Sequence, residues 1–163
     1  MIVPDINLLI YAYDTSSPFH AAAAAWWTDC LSGEEPVGLA PVVLFGFVRI
    51  STLSRVFLHP LTTAEAAGLV RSWLDQPVAQ ILEPPGDHVD QVLHLLEAIG
   101  TAGNLVTDAQ LASLAIAHDA VLHTADADFL RFPGLRWINP LTMKSVASPG
   151  SKRLKRVPPS RRT

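Results

Sequence analysis

Short apolar runs alternate with longer helical segments along most of this chain, and few architectures accommodate that alternation. Residues 2–5 form the first apolar run. The Leu- and Tyr-rich segment 6–13 then reads as a helix. Ser17-Pro18 pairs an N-cap residue with proline at the first helical position, so a second helix is expected from there, through the alanines and Trp26-Trp27, to Gly33. Residues 37–40 read as a second strand, and Pro41 opens a helix to about residue 54. Thr62 and Glu65 form a capping box for a helix that ends before Pro77. Residues 78–82 read as a third strand, and Asp87 caps a helix to about Ile99. A last long helix covers 106–118, followed by a strand at 120–124 and a short edge strand at 135–138. Strands separated by helices pair in parallel and are covered on both faces, so the expected fold is a three-layer α/β/α sandwich around a parallel sheet. In such sheets ligands sit beyond the carboxyl ends of the strands.

At 163 residues and 49% apolar, the chain makes one domain with a full core. Its one cysteine, Cys30, has no partner for an internal disulfide, which suits a reducing compartment. No run approaches the about 18 apolar residues of a membrane span. The longest, 39–48, contains Pro41 and Gly46 and is closed by Arg49. The N-terminus has no basic region and carries Asp5 where a signal peptide is apolar, so a cytoplasmic protein is expected.

The formal charge of −3 conceals a split. Residues 144–163 hold seven of the twelve Lys and Arg and none of the fifteen acids, leaving a balance of −10 over residues 1–143. The division is therefore a globular domain, 1–143, and a basic tail, 144–163, expected to be disordered and dispensable. Such an acidic body repels phosphates at long range, so nucleic-acid chemistry needs a bound cation or a local arginine.

Three aspartates fall where the ligand rule directs attention: Asp5 after the first strand, Asp126 after the strand at 120–124, and Asp108 in the first turn of a helix. Singly, each reads as a helix cap or a complement to a helix dipole. Jointly, they face one rim of the sheet. Two carboxylates about 4 Å apart repel by about 1 kcal/mol in water and by several times that when partly buried, so a cluster shares protons or binds a cation. Oxygen ligands without cysteine or patterned histidines suit Mg²⁺ or Mn²⁺, and such an ion promotes phosphodiester cleavage.

The chain resembles the PIN-domain ribonucleases, and among them the VapC toxins, at three segments: the strand followed by Asp5-Ile6-Asn7, Asn104-Leu105-Val106-Thr107-Asp108-Ala109, and Thr124-Ala125-Asp126-Ala127-Asp128-Phe129. The likeness runs to about Met143. It implies a Mg²⁺-dependent endoribonuclease, a homodimer, and a small antitoxin that blocks the site. By position it makes Asp5, Asp108 and Asp126 the metal ligands, Asn7 and Thr124 supporting groups that orient carboxylates or water, and Asp128 an auxiliary acid. One place departs from the family pattern: Gly46 stands where a Glu is usual, which opens the alternative of a weakened enzyme that binds RNA or a partner. Arg49, three residues on, lies on the same helix face and is expected either to contact substrate phosphate or to pair with an aspartate.

Trp26 and Trp27 read either as RNA-stacking platforms or as core and interface residues. The six histidines show no ligand spacing. A third function, phosphate transfer with Asp5 as nucleophile, usually wants a second acid two residues on, where this chain has Asn7.

Overall fold

The computed structural model describes residues 1–142, so the basic tail lies outside the described residues. The elements are β1 (Ile2–Pro4), α1 (Ile6–Tyr13), α2 (His20–Ser32), β2 (Val37–Leu39), α3 (Pro41–Ser51), α4 (Thr63–Leu74), β3 (Ala79–Ile81), α5 (His88–Ile99), α6 (Leu105–Ala117), β4 (Val121–His123) and β5 (Trp137–Ile138). A 3-10 turn, Ala127–Arg131, joins the last two strands. The strands form one sheet in the order β3-β2-β1-β4-β5, and every pair is parallel. Ile2, Val3 and Pro4 pair with Val121, Leu122 and His123, which places the ends of β1 and β4 side by side.

The central strands are apolar because both faces are buried: Val3, Val37, Leu39 and Leu122 have no exposed surface. Tyr13, Trp27, Phe47 and Trp73, one from each of α1 to α4, meet with ring centroids 4.7–5.6 Å apart. This aromatic cluster ties those four helices into one layer. Helices α5 and α6 pack on each other and belong to the crossover from β3 to β4, which runs back across the sheet. Right-handed crossovers travelling in opposite directions cover opposite faces, giving the three-layer α/β/α sandwich.

Three local expectations are corrected. Helix α2 begins at His20 rather than at Ser17-Pro18. Asp14 captures the backbone N–H and the hydroxyl of Ser16 at 3.0 and 2.6 Å, and Ser17 Oγ accepts from the Phe19 N–H at 3.2 Å. Those bonds hold the Ser-Pro pair in a turn that precedes the helix. Helix α3 ends at Ser51, short of residue 54, where the Ser51 carbonyl accepts from the Leu61 N–H at 2.9 Å. Asp87 occupies the N-cap position of α5, yet its carboxylate accepts from Gln91 Nε2 at 2.8 Å and makes no capping bond to the backbone. The Thr62–Glu65 capping box is present with both reciprocal bonds.

Candidate active site

Asp5 follows the last residue of β1 in an extended conformation, with its N–H donated to the His123 carbonyl at 2.9 Å. It is 4% exposed. One carboxylate oxygen accepts from the Ile6 N–H at 2.6 Å and so caps α1, while the other accepts from the Thr124 hydroxyl at 2.7 Å. An ionised carboxylate has about four lone-pair sites, so these two bonds leave capacity for a further ligand. Burial pushes the Asp5 pKa up to about 6; the bonds from Thr124 and Ile6 oppose the shift, and the charges of Asp108 and Asp126 add to it.

Thr124 organises the rim. Its hydroxyl gives its one proton to Asp5 and accepts from Asn7 Nδ2 at 3.2 Å and from the Asp126 N–H at 2.9 Å. Asn7 Oδ1 also accepts from the Ala125 N–H at 3.4 Å. Asp126 caps the 3-10 turn by accepting from the Asp128 N–H at 2.8 Å. The cap-like roles read from the sequence are therefore real for Asp5 and Asp126, and they fix the carboxylates at the sheet's carboxyl rim.

Asp108 projects from the first turn of α6 and is half-buried. Burial, then the charges of Asp126 and Asp128, push its pKa up to about 6. Asp5 and Asp108 line one cleft of about 720 Å³, together with Gly46 and Arg49 of α3. Asp126 and Asp128 are exposed at its margin: they act on the two inner acids through their charge but do not line the cleft. Among the described residues no three His, Cys, Asp or Glu side chains already close around a single point.

The donor set nevertheless fits a hard divalent cation. Among the described residues no cysteine or histidine lines the cleft, and its two carboxylates are held against burial and mutual repulsion that a positive charge relieves. Mg²⁺ commonly takes one or two carboxylates plus water and substrate phosphates, so a preformed protein cage is not required.

Arg49 is exposed at the cleft and makes no ion pair among the described residues, so the expected alternative of an aspartate partner has no support here. A Cβ on Gly46 would meet Ile6 Cδ1 at 2.5 Å, so the Ile6 methyl covers the place where a side chain would start. Trp27 is core, packed edge-on against Trp73, and the Trp26 indole N–H is donated to His123 Nδ1 at 3.1 Å. Of the two readings of the tryptophans, these positions favour core residues over RNA platforms. The sequence reasoning passed over Ile6 and Phe45, both of which line the cleft. Phe45 sits one and four residues before Gly46 and Arg49, and that helical spacing was the available signal.

A PIN-domain family model matches residues 2–135. Ribonuclease VapC33 of Mycobacterium tuberculosis is 49% identical over 141 residues, covering 86% of this chain and 99% of the relative. Ribonuclease VapC37 of the same organism is 41% identical over 140 residues, covering 86% and 97%. Among solved structures, the sarcin-ricin-loop-cleaving toxin VapC20 of M. tuberculosis superposes with a TM-score of 0.62 at 19% identity, covering 83% of this chain and 99% of that one. VapBC2 of Rickettsia felis, bound to a promoter DNA fragment, gives 0.60 at 20% identity, covering 85% and 98%. Fold, family model and relatives agree: the chain belongs to the PIN-domain family and, within it, to the VapC ribonucleases.

Proposed function

We propose that this chain is a cytoplasmic, Mg²⁺-dependent endoribonuclease, the toxin of a toxin–antitoxin pair, with its nuclease domain in residues 1–143. The observation that carries the reading is the cleft that Asp5, buried, and Asp108, half-buried, line together although far apart in sequence, both with raised pKa values. Asp5, Asp108 and Asp126 would hold the ion, with Mn²⁺ as a substitute. When bound, it supplies positive charge for the phosphate and makes water a better nucleophile. Asp5 keeps its orientation through Ile6 and Thr124, and Asn7 keeps the Thr124 hydroxyl aimed at Asp5. Asp128 adds negative charge beside Asp108, which strengthens attraction for the ion. Arg49 contacts a phosphate of the RNA. The partners are an RNA substrate, a second copy of the chain in a homodimer, and a cognate antitoxin; solved VapBC pairs of the same fold support the last.

The test is cleavage of RNA by the purified protein, freed of any antitoxin, with Mg²⁺ or Mn²⁺, beside Asp5→Ala and Asp108→Ala. Wild-type cleavage lost in both variants is expected. Cleavage that survives both substitutions removes the site assignment. Gly46 favours a second reading, a catalytically weakened module that binds RNA or a partner. RNA binding without cleavage under every metal condition would establish it in place of the first.

A further inference from the structure

Phe45 is 75% exposed, although its helix neighbours Leu44 and Phe47 are buried. It lines the same cleft as Asp5 and Asp108. The α3 wall of that cleft spans residues 41–50, and of its lining side chains Phe45 and Arg49 are the exposed ones. Arg49, one turn beyond Phe45, is the one basic side chain lining the cleft among the described residues, and no carboxylate engages it. Because Gly46 brings no acid to this wall, the cleft has two chemically different sides. One presents carboxylates, and the other presents an aromatic ring and a guanidinium. A volume of about 720 Å³ lies within the range of sites that enclose a small molecule.

We propose that Phe45 is a substrate-positioning residue that stacks on the nucleobase next to the cleaved bond. This inference rests on the endoribonuclease reading and adds a residue role to it. An aromatic face accepts any base, while Arg49 one turn away is placed for the neighbouring phosphate.

Wild type, Phe45→Leu and Phe45→Trp are compared on total bacterial RNA with Mn²⁺, and the cut site is mapped. A short RNA copying that site, with 2-aminopurine beside the cut, then reports stacking by fluorescence quenching; Asp108→Asn is used as the background so that the probe is held without being cut. Phe45→Leu is expected to weaken RNA binding by about 5- to 100-fold, the range for loss of one base–aromatic stack, to raise KM more than it lowers kcat, and to abolish the quenching. Phe45→Trp keeps both. The melting temperature should stay put in both variants, since the side chain is exposed. Wild-type affinity and full quenching in Phe45→Leu overturn the proposal and leave Phe45 to the apolar groove between α3 and α4, which it also borders. If the wild type cuts no RNA at all, the ribonuclease reading falls first and this one with it.

Discussion

Thr124 shows how one hydroxyl sets the chemistry of the site. It has one proton and two lone pairs, and all three are used: donated to Asp5, and accepting from Asn7 and from the backbone of Asp126. Thr124→Val keeps the shape and removes every bond. The buried Asp5 oxygen then has no donor, so a loss of about 2–4 kcal/mol is expected by chemical denaturation, with Thr124→Ser restoring most of it. The same accounting separates the two inner acids. In Asp5→Asn the new amide must point its NH₂ at either the Ile6 N–H or the Thr124 hydroxyl, both of which donate. That variant is expected to melt at lower temperature than wild type. Asp108 makes no such bonds among the described residues, and burial and its acidic neighbours raise its pKa to about 6. A raised carboxyl pKa costs folded-state stability once the pH passes it. Asp108→Asn therefore gains about 1 kcal/mol at pH 7.5, after discounting for its partial exposure and its place near a helix N-terminus. The gain should appear as a melting temperature about 2–4 °C higher, shrinking at pH 5 where wild-type Asp108 carries its proton. Equal melting temperatures for Asp108→Asn and wild type at both pH values would contradict the assigned strain.

At the scale of elements, α3 carries an unresolved tension between helix and site. Gly46 lies mid-helix, where glycine costs about 1 kcal/mol relative to alanine. Yet alanine there meets Ile6 Cδ1 at 2.5 Å, and turning Ile6 away from its rotamer costs about as much as the helix gains. Gly46→Ala alone is expected to be near neutral. In an Ile6→Val background the offending methyl is gone and the next atom lies 3.8 Å away, so the same change should stabilise by about 1 kcal/mol. Urea midpoints for the four proteins of this cycle read the coupling directly, and additivity would show that Ile6 does not fill the space over Gly46. The elements themselves were largely legible in the sequence because hydrophobic period and capping chemistry are local. Thr62–Glu65 encodes its helix start within four residues. The start of α2 was not legible, because it depends on Asp14 reaching forward to Ser16 after α1 has ended. Asp5, Asp108 and Asp126 were legible as a set through the ligand rule for parallel sheets and the likeness to known ribonucleases. Their unequal standing, two lining the cleft and one at its margin, depends on where α6 and the 3-10 turn settle, which no local pattern specifies.

Across the whole molecule, four of the fifteen acids gather where the strands end. Asp5 and Asp108 share a cleft, Asp126 and Asp128 stand beside it, and the domain as a whole carries −10 over residues 1–143. Without a cation, ionising the two inner acids works against folding. Their folded pKa values of about 6 exceed the ordinary 3.8, so the stability they contribute is present in acid and is lost as the pH rises through 6. His123 acts in the opposite direction. Burial lowers its pKa to about 4, so the unfolded chain takes up its proton first, and stability falls as the pH drops from about 6.5 towards 4. A melting curve of the metal-free protein therefore mixes two opposed trends. Comparing curves with and without Mg²⁺ at each pH removes His123, which is common to both. On the proposed function, Mg²⁺ binds the folded chain, and a concentration of about 100 times its Kd adds about 2.7 kcal/mol, or roughly 5–10 °C for a chain of this size. That increment should be full at pH 7.5, about a third lost near pH 6, about half lost near pH 5.6 and nearly gone by pH 5, because the same oxygens then hold protons. Asp108→Asn should reduce it at every pH. An increment that is flat from pH 7.5 to pH 5, or that survives Asp108→Asn unchanged, would locate the ion elsewhere on the acidic surface and separate the two inner acids from metal binding.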